Sequence, residues 1–98
     1  MYSRMKILET HRASIDSLDD RIVDLLVERF EVVRAVGELK ASEKIDIVQS
    51  DRVEAVKQRV FKRAMDKGLD GDLLRAIYTL IIDHAHTLEN RVADKDKT

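Results

Sequence analysis

Cysteine and proline are absent from this 98-residue chain, and glycine and aromatic residues are rare. Without cysteine, the chain can form neither disulfide bonds nor thiolate metal sites. Without proline, and with only three glycines, it has few of the residues that usually interrupt helices. No stretch alternates apolar and polar residues long enough to indicate a strand. The composition therefore predicts an all-helical protein.

A large excess of one charge and long apolar runs are also missing. Eighteen basic and nineteen acidic residues are interspersed, so no basic field is available for nucleic acid or an anionic membrane. The apolar runs are too short to cross a bilayer, and Met1 to Lys6 lack the apolar core of a signal peptide. We therefore expect no nucleic-acid partner, no membrane segment and a cytoplasmic location. The length suits one domain over residues 1–98, with a core at about 8–91 and a charged, fraying tail at 93–98.

Three helices are predicted, one long and two shorter. The first begins between Ile7 and Ala13 and runs to about Lys40, and the helical periodicity is lost between Ala41 and Gln49. Ser50 is a suitable cap for the second helix. The apolar sides of the second and third helices comprise Val53, Val56, Val60, Ala64, Leu73, Leu74, Ile77, Leu80, Ile81, Ala85 and Leu88.

Three residues predict the turn between the second and third helices. Gly68 is suited to the left-handed conformation that follows a helix end, with Leu69 making the accompanying apolar contact. Asp70 can then cap the third helix.

The length of the first helix predicts a homodimer. A helix of about 30 residues is about 45 Å long, which exceeds the diameter of a compact chain of this size. The shorter helices cannot cover its whole apolar stripe, so a second copy should cover the rest, most simply in a two-fold dimer. The stripe consists of Ile15, Leu18, Ile22, Leu25, Val32, Val36 and Leu39.

Arg29 interrupts this stripe, and Lys40 returns to the same face to within about 20°. Cations on an inward face need an anion, which either a protein carboxylate or a bound ligand must supply. With Arg12 and Arg52 as further candidates, a cationic pocket between helices suits a small dicarboxylate. Gly37, also within this helix, indicates close helix packing or a ligand against the backbone. No nucleophile–base pair, metal-ligand cluster or phosphate loop accompanies these residues, so we predict neither metal nor cofactor.

The segment HRASIDSLDDRIVDLLVERFEVVRAVGELKASE, residues 11–43, resembles the opening helix of the all-helical (AroQ-class) chorismate mutases. The joint spacing of Arg12, Arg29, Lys40 and Arg52 carries the resemblance, which extends over about residues 8–91. It implies an intertwined homodimer of three-helix chains. It also implies the isomerisation of chorismate to prephenate by a Claisen rearrangement, in the shikimate pathway and aromatic amino acid biosynthesis.

The resemblance also implies residue roles. Arg29, together with Arg12 of the other chain, would bind the two substrate carboxylates, and Lys40 would donate to the ether oxygen. Arg52 would lie close to the same pocket.

Four positions depart from the best-known bacterial pattern of this family. Val53 stands where glutamate often binds the ring hydroxyl, and Gln49 replaces a common acidic residue. Ala85 replaces a serine, and Glu89 replaces a glutamine that donates to the ether oxygen. The resemblance therefore implies that the 4-position of the substrate is read differently, or by Gln49 or backbone groups. Isochorismate pyruvate lyase and 4-amino-4-deoxychorismate mutase are alternatives on the same scaffold, and a non-catalytic helical dimer is another.

Overall fold

A computed structural model describes residues 4–96, and this range contains three α-helices and no strand. Helix α1 spans Arg4–Glu43, α2 spans Ser50–Asp66 and α3 spans Gly71–Asp96. The predicted all-helical fold is confirmed, whereas the intertwined homodimer stays a prediction. None of the helices in this range has the length and apolar character needed to cross a bilayer.

Helix α1 is longer at both ends than the sequence predicted. It already includes Arg4, upstream of the predicted start, and it continues to Glu43 rather than ending near Lys40. It ends in a Schellman motif, in which the Ile45 N–H donates to the Lys40 carbonyl over 2.8 Å and Lys44 is left-handed with φ 55°. Helix α3 likewise continues through Asp96, beyond the predicted fraying point, and residues 97 and 98 lie outside the described range.

The start of α2 differs from the prediction by one residue. Gln49 occupies the N-cap position with extended backbone angles and makes no capping side-chain hydrogen bond, so the predicted cap at Ser50 is wrong. Ser50 is instead the first helical residue. The Val53 N–H donates to the Gln49 carbonyl over 3.0 Å, which is the first hydrogen bond of the helix.

The turn between α2 and α3 follows the prediction. Gly68 is left-handed with φ 80°, and the Leu69 N–H donates to the Ala64 carbonyl over 2.8 Å. The Asp70 carboxylate accepts from the Asp72 N–H over 2.9 Å, so Asp70 caps α3. This turn places α2 and α3 against each other along their length.

The described chain divides into two units, Met1–Glu31 and Val32–Thr98. The first unit is the N-terminal part of α1, whose stripe residues Ile15, Leu18, Ile22 and Leu25 are each at least half exposed. The second unit contains the end of α1, the connecting segment, α2 and α3. The prediction of a single domain over residues 1–98 stays a prediction.

The core of the second unit lies between α2 and α3. It consists of Val56, Val60, Ala64, Ile82, Ala85 and Leu88, all of which are buried. Of the predicted apolar side of α3, Ala85 and Leu88 are buried and Leu74 and Ile81 are half-buried, whereas Leu73, Ile77 and Leu80 are exposed on the single chain. Leu80 lies about 160° around the helix from Ile82, so both cannot face α2.

Candidate active site

Lys40 lies in the last turn of α1 and its side chain is largely buried. Its Nζ donates to the Ile47 carbonyl over 2.7 Å and to Glu89 Oε2 over 3.0 Å. The side chains of Lys40 and Glu89 are 16% and 6% exposed, so little water screens their contact. Together they form a buried polar centre in the second unit.

Glu89 reaches this centre from α3, where it is the one buried charged residue of the described range. Ala85, one turn earlier on α3, is also buried and lies on the same side of the helix. Glu89 is therefore directed inward from α3.

Gly37 allows the backbone of α1 to approach Glu89. A Cβ atom at this position would lie 3.1 Å from Glu89 Cα and 3.3 Å from its Cγ, closer than packed side chains normally allow. Gly37 is also the one buried residue of α1 in the described range. Close helix packing, the first of the two predicted explanations, therefore accounts for glycine here. One turn of α1 separates Gly37 from Lys40, so the same contact between helices positions both partners of the polar centre.

Lys40 retains hydrogen-bonding capacity in this arrangement. A lysine ammonium has three N–H donors, and the Ile47 carbonyl and Glu89 occupy two of them. One N–H remains beyond these two contacts, and the contacts fix its direction.

For Lys40, the protein itself supplies an anion. This anion is Glu89, so the first of the two expectations from the sequence holds for Lys40: a carboxylate of the protein pairs with the cation. The charge of Lys40 is therefore not by itself a sign of a bound dicarboxylate.

The connecting segment links this centre to the start of α2. Ile47, which binds Lys40, is two residues before Gln49, the N-cap of α2. Gln49 is exposed and its amide donates to the Asp46 carbonyl over 3.4 Å. Arg52 is exposed and Val53 is half-buried. Gln49, Arg52 and Val53 thus lie at the start of α2. The segment just before them is tied to Lys40 by the hydrogen bond from its ammonium to the Ile47 carbonyl.

The two remaining predicted residues belong to the first unit. Arg12 is exposed on α1. Arg29 is half-buried, and its Nη1 is shielded from solvent. The structure therefore brings together Lys40 and Glu89, with Ala85 one turn from Glu89 on α3. The grouping of Gln49, Arg52, Val53, Arg12 and Arg29 with this pair stays a prediction.

Sequence reasoning missed Ile47. Its contribution is a backbone carbonyl, which every residue type possesses, so the identity of the side chain carries no signal. Among the residues that the structure describes, no three His, Cys, Asp or Glu side chains are grouped so that they could hold a metal ion.

Comparison with known proteins places this centre in a family. Residues 11–90 match the family described as chorismate mutase type II, a range that includes every predicted site residue from Arg12 to Glu89. The chain belongs to this family. The predicted family and its class of activity, an isomerase, are confirmed.

Individual relatives carry three different names. A 4-amino-4-deoxychorismate mutase from Streptomyces venezuelae is 29% identical over 89 residues, covering 91% of this chain and 86% of the relative. A chorismate mutase from Methanocaldococcus jannaschii is 25% identical over 84 residues, covering 86% of this chain and 85% of the relative. A T-protein from Haemophilus influenzae is 29% identical over 93 residues, which cover 95% of this chain but only 25% of that longer protein.

Proposed function

We propose that the chain converts chorismate to prephenate. The observation that carries this proposal is the family match over residues 11–90, which runs through all three helices and through the Lys40–Glu89 centre. In the Claisen rearrangement one C–O bond breaks as one C–C bond forms within a single molecule. No proton, electron or leaving group is exchanged with the protein. Catalysis therefore requires only that the substrate be held in its folded conformer and that the developing charge be stabilised.

Lys40 stabilises the charge on the ether oxygen. This oxygen gains negative charge as its bond to the ring breaks, and the third N–H of Lys40 is the donor assigned to it. The contacts with Ile47 and Glu89 support this role because they fix the ammonium without using all its donors.

The two substrate carboxylates are assigned to arginines. Arg29 and Arg12 of a second copy each bind one carboxylate in a bidentate manner, as the family resemblance implies. Arg52 adds positive charge near the same pocket, and Gln49, Val53 and Ala85 line it. The assignment of Arg12 requires a homodimer, and the exposed apolar stripe of α1 supports one.

Substrate choice at the ring 4-position separates the candidate reactions. The near-full-length match to a protein named 4-amino-4-deoxychorismate mutase favours the amino analogue as a second candidate substrate. Val53, an apolar residue where glutamate often binds a hydroxyl, supports the same alternative.

The decisive experiment offers chorismate, 4-amino-4-deoxychorismate and isochorismate to the purified chain and identifies the products. We expect prephenate from chorismate, and we expect Lys40→Gln to lower kcat/KM by about 100-fold or more. Lys44→Gln, at an exposed position in the next turn, is the matched control and should keep its activity. Pyruvate and salicylate from isochorismate would assign a lyase, conversion of the amino substrate alone would assign the amino mutase, and no turnover of any substrate would favour the non-catalytic dimer.

Glu89 gives the proposal a second test. In the ion pair with Lys40 its carboxylate lies beside the donor assigned to the breaking C–O bond, and its negative charge opposes the charge that develops there. Glu89→Gln removes that charge and places a hydrogen-bond donor at the same position, so we expect kcat to be retained or raised. A lower kcat in a stably folded Glu89→Gln variant contradicts this assignment.

A further inference from the structure

A recess lies between α2 and α3 at the end of the helix pair that is joined by Gly68. It has a volume of about 230 Å³. Its lining consists of Arg59, Val60, Arg63, Ala64, Lys67, Leu69, Leu74 and Tyr78. None of these residues belongs to the Lys40–Glu89 centre, so we name this recess the hairpin groove.

The floor of the hairpin groove is apolar. Val60 and Ala64 are buried members of the α2–α3 core, and Leu74 and Tyr78 are half-buried on α3. Leu69, in the turn, is more than half exposed. An apolar floor next to an aromatic ring gains free energy when a flat apolar group covers it, because that group and the floor both leave water.

One edge of the hairpin groove is cationic. Arg59, Arg63 and Lys67 follow each other at four-residue spacing, so they form a row along α2 and its C-cap, with a rise of about 6 Å between neighbours. No carboxylate lines the groove. Within residues 4–96, none of these three cations forms an ion pair with a carboxylate.

The row belongs to a basic segment of a chain that is nearly neutral. Residues 57–67 contain five basic side chains and one acidic side chain, although the net charge of the whole chain is -1. The even distribution of charge that composition suggested therefore does not hold locally on α2. Like charges at four-residue spacing repel each other, and a bound anion relieves that repulsion.

We propose that the hairpin groove binds a small aromatic carboxylate. The ring lies on Val60, Ala64 and Leu74, and the carboxylate pairs with Arg63, the central cation of the row. The volume suits one ring and its short side chain better than an extended peptide. Because the groove is open on one side and the cations are exposed, we expect a dissociation constant on the order of 0.1–1 mM.

The test is a titration of the ¹⁵N-labelled full chain with 3-phenylpropionate at constant ionic strength. The amides of residues 59–69 and 74–78 should shift and saturate. Arg63→Gln should weaken this binding about fivefold or more. Arg91→Gln, which removes an exposed arginine of α3 outside the groove, is the matched control and should leave it unchanged. Lys40→Gln should also leave it unchanged, which separates the groove from binding at the candidate active site.

Four results would overturn the proposal. The first is an absence of saturable groove shifts up to about 20 mM probe. The second is equal binding of uncharged 3-phenylpropionamide, because the cations would then contribute nothing. The third is binding of an acidic peptide without binding of the small acid, which would make the groove a protein-docking surface. The fourth is dissociation of an oligomer by Arg63→Gln, which would place the groove in a contact between copies of this chain.

Discussion

At the residue scale, Lys40 has two structural roles, one for its backbone carbonyl and one for its side chain. Its carbonyl accepts from Ile45 and so ends α1, while its ammonium binds the Ile47 carbonyl two residues further on. The backbone carbonyl and the side-chain ammonium of Lys40 therefore both hold the connecting segment. Substitution of Lys40 should loosen the segment before α2 as well as remove a donor, so activity alone cannot separate the two effects. The exchange rates of the amides in residues 44–49 measure the first effect independently.

Gly37→Ala should destabilise the protein, although alanine normally favours a helix more than glycine does. Alanine at an interior helix position is favoured over glycine by about 1 kcal/mol. At this position, however, the added Cβ would lie 3.1 Å from the Glu89 Cα, a backbone atom that cannot move away as a flexible side chain can. We expect Gly37→Ala to destabilise the protein by about 1–2 kcal/mol in chemical denaturation, since overpacking outweighs the gain in propensity.

The matched control is Glu38→Ala, at the next and exposed position of α1. It should change the free energy of unfolding by less than about 0.5 kcal/mol. A stabilised Gly37→Ala variant would mean that α1 and α3 are further apart than described. Loss of activity in a fully stable Gly37→Ala variant would instead point to the alternative explanation, a ligand against the backbone.

At the element scale, α1 and α2 end in the same hydrogen-bonded motif with different residues in the left-handed position. The bond runs from Ile45 to Lys40 in α1 and from Leu69 to Ala64 in α2, each over 2.8 Å. The left-handed residue is Lys44 in the first and Gly68 in the second. A residue with a Cβ is strained in this conformation by about 1 kcal/mol, whereas glycine is not.

Substitutions at these two left-handed positions should change the free energy of unfolding in opposite directions. Lys44→Gly should raise the free energy of unfolding by about 0.5–1 kcal/mol, because it removes strain at the end of α1. Gly68→Ala should lower it by a similar amount, because nothing but backbone conformation opposes the new Cβ there. Denaturation of both variants at one fixed protein concentration checks the prediction, and the same sign for both changes would contradict it.

The exposed pair between α2 and α3 predicts a dependence of stability on pH. Arg75 Nη2 donates to Glu54 Oε1 over 2.8 Å, and this hydrogen bond, followed by the charge of Arg75, lowers the pKa of Glu54. A carboxyl with a lowered folded-state pKa stabilises the fold above its unfolded-state pKa, and this contribution is lost as pH falls through the folded-state value.

Glu54→Gln should therefore lower the melting temperature slightly at neutral pH and leave it unchanged in strong acid. The effect is small because Glu54 is exposed to solvent and salt. Asp83→Asn, at an exposed position of α3, is the control without such a partner. An unchanged difference between wild type and Glu54→Gln across the acid range would contradict the assignment.

The sequence predicted those features of the elements that depend on side-chain type. The left-handed Gly68 and the cap at Asp70 follow from residues with strong local preferences, and the break before α2 follows from the loss of helical periodicity. The failed cap at Ser50 and the missed carbonyl of Ile47 depend on backbone angles that tertiary contacts select. The exposure of Leu73, Ile77 and Leu80 on the single chain could not be predicted, because a period of 3.6 residues shows which residues share a face and not which of them meet α2.

At the scale of the whole molecule, the apolar stripe in the first unit is the feature that the single chain leaves unexplained. Ile15, Leu18, Ile22 and Leu25 share one face of α1 by their spacing, and each is at least half exposed. Surface apolar residues are common singly, but a continuous row of this kind marks an interface. A two-fold homodimer would cover the row and, in the proposed function, would bring Arg12 of each chain to the pocket of the other.

Charge introduced into the stripe should dissociate this homodimer. Ile22→Glu would bury a carboxylate without a partner at the interface, so we expect association to weaken by about 100-fold or more in sedimentation velocity experiments over a range of concentrations. Val27→Glu is the matched control, because Val27 is equally exposed but lies about 140° around α1 from Ile22. Activity should fall with dissociation in Ile22→Glu and persist in Val27→Glu, since the proposed pocket needs Arg12 from a second copy. A wild-type chain that stays monomeric and active at every concentration would contradict both the dimer and the role of Arg12, and would leave the Lys40–Glu89 centre to act within one chain.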